Sequence, residues 1–169
     1  MVTDRNGRGR FGALFLWAII AGVAALVGCL SLTAAQAPEC RPSTEAVDAM
    51  PTQTLVFGSE QEHTIDARLA ATESHRAAGM QHLCPDVIAG TPILFLFDEP
   101  VTPAFHMNNV HAALDIVFVD SDHRVIDVSR MEPGQRSLTR PPGPVIAALE
   151  MKAGAAAAYG IEPGVRVEW

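Results

Sequence analysis

Positive charge is in short supply in this chain, with 12 Lys and Arg against 19 Asp and Glu. Arg5, Arg8, Arg10 and Asp4 all fall in the first ten residues. Residues 38–169 therefore keep nine basic and 18 acidic side chains, a formal charge of −9. A domain this acidic repels phosphate backbones, which excludes nucleic acid as a partner and disfavours anionic lipid headgroups. Other signatures are missing as well. There is no G-x-S-x-G nucleophile elbow, and Ser129 and Ser137 stand isolated. Gly58, Gly79 and Gly90 are scattered, so no glycine-rich phosphate loop exists. No internal repeat is visible, and no cofactor is expected. Cysteine is rare: Cys29, Cys40 and Cys84 are the three.

Charge of either sign is absent from residues 11–32, a run rich in Leu, Ile, Val and Ala. It follows the three arginines and precedes the small residues of 33–37. A basic start, an apolar middle and a small-x-small exit form a secretory signal, with Ala35-Gln36-Ala37 as the expected cleavage point. Two other fates share the segment. Leu26-Val27-Gly28-Cys29 fits a lipidation box on Cys29, and the run is long enough to stay as an N-terminal membrane anchor. All three place the remaining domain in a periplasmic or other extracytoplasmic space, touching membrane only through residues 1–37. There, Cys40 and Cys84 are expected to form a disulfide.

Residues 38–53 are polar and proline-containing, and we take them as a linker or an ordered arm tied at Cys40. Residues 54–169 form one domain. A short β-prone run at 54–57 precedes an alternating one in which Ile65, Ala67 and Leu69 share a face. Thr72 is a good N-cap for a helix that Pro85 should stop. Residues 93–97 are continuously apolar, as a strand buried on both faces requires, and residues 114–119 make the clearest strand. The segment 120–123 turns the chain back through 124–128. Residues 131–144 are a proline-rich loop. A strand at 145–151, a short helix at 154–159 closed by Gly160, and a last strand at 165–169 complete the chain. Seven strands and two short helices, without strict strand–helix alternation, predict a mainly β fold: an antiparallel sandwich or a small barrel.

The ordered set of motifs resembles the domain of unknown function 192 family. Arg76, Gly79 and Met80 match its helix motif, and Phe105, Met107 and Asn109 the next. Leu114, Asp115, Ile116, Phe118 and Asp120 match its hairpin strand. Ala153, Gly154, Gly160, Ile161, Gly164 and Val167 match its C-terminal end. The chain departs at His106, where the family usually has Trp, at Asn108, where it has Lys, and at Val165, where it has Asp. The resemblance implies a compact β-rich fold, frequent export and no established reaction.

Candidate chemistry is thin. Six histidines lie beyond residue 37, and His106, His111 and Met80 offer imidazole and thioether ligands suited to copper. Their spacing matches no known site, and methionines commonly fill core gaps. Acid–base chemistry could draw on Asp115 with Asp127 or Glu150, or a hydrolase or transferase site could form around Asp115 and Asn109, but the pattern names no dyad. We expect a binding surface where the helix end at Gly79 and Met80, the segment Phe105-His106-Met107-Asn108-Asn109 and loop 131–144 meet, with Asp115 near that turn. The leading expectation is a non-enzymatic exported domain that binds a small ligand or an envelope protein. A metal-handling module is the alternative, and an enzyme with an unrecognised site comes third.

Overall fold

A computed structural model describes residues 39–58 and 62–169. The leader, its cleavage point and the lipidation box at Cys29 lie outside the described residues. In chain order the elements are α1 (Glu45–Ala49), β1 (Thr52–Phe57), β2 (His63–Ala70), α2 (Glu73–Ala78), α3 (Pro85–Gly90), β3 (Ile93–Val101), β4 (Leu114–Val119), β5 (Val125–Met131), β6 (Val145–Lys152), α4 (Ala155–Ala158) and β7 (Val167–Glu168). Among the described residues no helix is long and apolar enough to cross a membrane.

The seven strands form one sheet in the order β5-β4-β6-β3-β2-β1-β7. The sheet curls until its edges meet at one corner. There Arg124 bridges to Arg166, Val125 donates to the Val165 carbonyl at 2.9 Å, and Val167 donates to that of His123 at 2.9 Å. The result is a half-closed barrel, mainly β as the strand pattern requires. One strand pair departs from the antiparallel expectation: β2 and β3 run parallel, with Arg68 opposite Ile93 and Ala70 opposite Phe95. Parallel neighbours need a crossover connection, and here it carries two helices. Pro85 does not end a long helix. The first helix closes at Gly79, and Pro85 opens α3 at a position where its missing N–H costs nothing. With α1, there are four short helices among the described residues rather than the expected two.

Both faces of the sheet are covered, which is why its central strands are apolar throughout. Every residue of β4 is buried. Leu114, Ile116 and Phe118 pack beneath the helices with Met80, Leu83, Ile88 and Phe95. Val117 and Val119 join Leu55, Phe57, Leu149 and Ile161 on the other side. The polar segment before β1 is an ordered arm. Thr44 caps α1 by accepting from the Val47 amide at 3.3 Å, and Val47 and Met50 are buried. Cys40 is joined to Cys84, and Arg41 pairs with the 82–84 strand segment through bonds of 2.7 and 2.9 Å.

Asp115 interrupts β4 and is only 4% exposed. It does not approach the Asn108-Asn109 turn. Its carboxylate accepts from the amides of Gly154 (2.7 Å) and Ala156 (3.2 Å) and from Arg130 Nε (2.8 Å). It therefore ties β4 to β5 and to the start of α4, whose preceding residue Gly154 sits at φ 86°. Asp115→Asn keeps the volume but loses the charge behind three charge-assisted bonds. The expected cost is about 2 kcal/mol, read as a lower urea midpoint at unchanged slope.

Candidate functional site

On the helical face, a cleft of about 260 Å³ opens between α2 and residues 103–106. Thr72 caps α2, accepting from the His75 amide at 3.2 Å, and so fixes where the helix starts. One turn on, Arg76 leans across β3. Its Nη1 donates to the carbonyls of Ala71 (2.5 Å) and Leu96 (3.0 Å), and the guanidinium carbon lies 5.6 Å from the Phe97 ring centre. These contacts hold the charge at the mouth of the cleft. The helix ends at Gly79, with φ 48° and ψ −140°, a combination that side-chain-bearing residues avoid.

The opposite wall is pinned from outside. Phe105 and Thr139 exchange two backbone hydrogen bonds of 2.9 Å, which anchors the proline-rich loop. The Phe105 ring meets Phe95 edge-on at 5.1 Å and Phe118 at 5.8 Å. Asn109, at φ 57°, makes the turn that follows, and its carbonyl accepts from the His82 amide at 2.7 Å. Its side-chain amide reaches Gln81 at 3.5 Å. The helix end, the asparagine turn and the 131–144 loop are thus neighbours.

The floor is Glu150, from the middle of β6, where it pairs with Ile93 on one side and Ile116 on the other. It is 5% exposed, and burial pushes its pKa up from the ordinary 4.5 to about 8. Desolvation by burial is its cause. A Cβ built on Gly79 would make ordinary van der Waals contact with Glu150 Oε2 at 3.8 Å and the Phe95 ring at 3.5 Å, so the helix end lies directly against the floor. At neutral pH the site presents a protonated acid below, a fixed guanidinium above, and phenylalanine, Met80 and Val110 between them.

Of the residues expected at a site, Gly79, Met80, Phe105 and His106 line this cleft. Met107 is buried in the core, Asn108 is exposed with its amide on His106 Nδ1 (3.3 Å), and Asn109 buttresses the wall. Asp115 belongs to the other face, in a larger hollow of about 420 Å³ that it shares with Arg130. Asp115 and Arg130 there already satisfy one another. His111 does not line the cleft, and its Nε2 is buried without a partner. Among the described residues no three His, Cys, Asp or Glu side chains stand close enough to hold a metal ion. Glu150, expected as an acid–base partner of Asp115, is the single acid of β6 and lies on the opposite face of the sheet from it.

The comparisons agree with this architecture. The chain is similar to a protein of unknown function from Novosphingobium aromaticivorans DSM 12444, with 28% identity and a TM-score of 0.65 over 78% of this chain and 95% of that one. A protein from Sinorhizobium meliloti 1021, put forward as a transcription regulator, shares the fold at 24% identity and TM-score 0.65, over 70% of this chain and 94% of that one. No curated relative matches. The model of the DUF192 family, described as Uncharacterized ACR, matches residues 55–169, which hold every strand but the first residues of β1 and every residue of the cleft. The chain belongs to the DUF192 family.

Proposed function

We propose that this is an exported, non-enzymatic domain that holds a small organic ligand in the cleft between α2 and residues 103–106. One observation carries the reading: Glu150, a buried and unpaired acid, faces an open cleft rather than the packed core. An unpaired polar group beneath apolar walls costs stability unless something binds it, and perturbed acids of this kind cluster at functional sites. Binding is favoured over covalent chemistry because, among the described residues, no Ser, Thr, Cys or Lys lines the cleft and burial holds its one carboxyl protonated. Its volume lies just below the roughly 300–1,000 Å³ usual for ligand sites, which points to a small molecule rather than a protein segment. The Cys40–Cys84 disulfide and the apolar leader support maturation outside the cytoplasm.

Ala104 is exposed at the mouth, where a large side chain would block entry without disturbing the core. Native mass spectrometry of protein purified from its own compartment should show a small-molecule adduct that Ala104→Trp lacks. An adduct retained by Ala104→Trp, or ligand-free protein whose melting temperature no compound of a broad metabolite library raises, would contradict the reading.

A further inference from the structure

We infer that the ligand is a small organic acid, its carboxylate held by Arg76 at the mouth and a keto or hydroxyl oxygen held by Glu150 on the floor. This rests on the cleft being the binding site, and it names what the site selects.

The fold satisfies only part of the Arg76 guanidinium. Nη1 spends its two hydrogens on the carbonyls of Ala71 and Leu96. Among the described residues nothing accepts from Nε or Nη2. The edge left over is the parallel N–H fork that matches a carboxylate with two bonds. The same two carbonyl bonds fix its direction, so little side-chain entropy is lost on binding. A fixed cation in a domain whose formal charge is otherwise strongly negative is a local exception, and it selects an anion.

The floor selects the other end. Glu150 is flanked by Ile93 and Ile116 in the neighbouring strands, which bring no charge. Arg76 and His106 are the other charged or titratable side chains that line the cleft, and neither pairs with it. A carboxyl kept protonated is a hydrogen-bond donor, and its natural partner is an oxygen acceptor. Gly79 lies directly beside the carboxyl, with Glu150 Oε2 3.8 Å from where a Cβ would sit. Phe95, Phe97 and Phe105 supply apolar contact between the two polar ends. The rival class, a primary amine, would need Glu150 ionised and would be repelled by Arg76.

Calorimetric titration with a graded series of 2-oxo and 2-hydroxy acids of three to nine carbons, against amines of the same skeletons, separates the two. The expected result is binding by members of the acid series and none by the amines. Affinity should be level up to about pH 8 and then fall about tenfold per pH unit as Glu150 loses its proton. Glu150→Gln, which still donates a hydrogen bond, should bind without that fall. Arg76→Lys, which keeps the charge and loses the fork, should weaken binding tenfold or more. Amines binding in preference, affinity rising with pH, or no acid binding at 10 mM would each overturn the assignment. The adduct measurement with Ala104→Trp reports separately on the cleft itself, so a wrong ligand class and a wrong site give different results.

Discussion

Glutamine in place of Glu150 should leave the stability of the domain almost unchanged near pH 4 and raise it by several kcal/mol at pH 9, relative to the native protein. The sign follows from the direction of the shift. In the unfolded chain the carboxyl ionises near 4.5; in the fold, burial holds it protonated to about 8. Below 4.5 both states carry the proton and the group costs nothing by linkage. Between 4.5 and 8 the unfolded state releases its proton while the folded state keeps it, so each pH unit removes about 1.4 kcal/mol of stability. Above 8 both states are ionised and the loss is constant. The full span corresponds to about 5 kcal/mol as an upper bound, because the cleft admits some water to the carboxyl. That is a large share of the ~5–15 kcal/mol that holds a domain together. Urea unfolding of both proteins at pH 4, 7 and 9 checks it. The remaining carboxylates are common to both, so a difference that does not change with pH would refute the perturbed acid.

Reduction of the Cys40–Cys84 bond, or replacement of both residues by Ser, should cost about 4 kcal/mol. The cysteines are 44 residues apart, and closing a loop of that size in the unfolded chain removes entropy worth about this much. The native side adds to it. The bond fastens the arm that carries α1, whose Val47 and Met50 are buried in the helical-face core. Without it, the short backbone pairing of Arg41 with residues 82–84 must hold α1 in place. The urea midpoint should fall accordingly, and amide exchange should speed first in residues 44–50. An unchanged midpoint on reduction would show that the arm is held by packing alone.

The sheet was largely legible in the sequence because strand patterning is a local signal. The run 93–97 declared itself as buried on both faces and 114–119 as the clearest strand, and all seven strands appear in the fold. The parallel β2–β3 pair was not legible, since periodicity carries no information on direction. Pro85 was assigned the wrong role because proline both ends a preceding helix and begins a following one. The segment 38–53 looked like a bare arm, yet Thr44, Val47 and Met50 are enough to cap and bury a five-residue helix. The family motifs pointed to Arg76, Gly79, Met80 and Phe105 among the residues that line the cleft. Arg76 gave no local sign that its fork would remain free. Glu150 stands out in the sequence only as a generic acid–base partner for Asp115, because the sequence does not say which face of the sheet a cleft will open on. Asp115, the more conspicuous acid, proved to be a brace between β4, β5 and α4.

The central claim is that the floor of this cleft is a carboxyl still protonated at neutral pH. Carbon-13 NMR of selectively labelled glutamate, with Glu150→Gln used to assign the resonance, measures it directly. The Glu150 carboxyl carbon should titrate with a midpoint near 8, and higher when a bound organic acid accepts its proton in a hydrogen bond. A midpoint near 4.5 in the folded, ligand-free protein would contradict both the buried acid and the site built upon it.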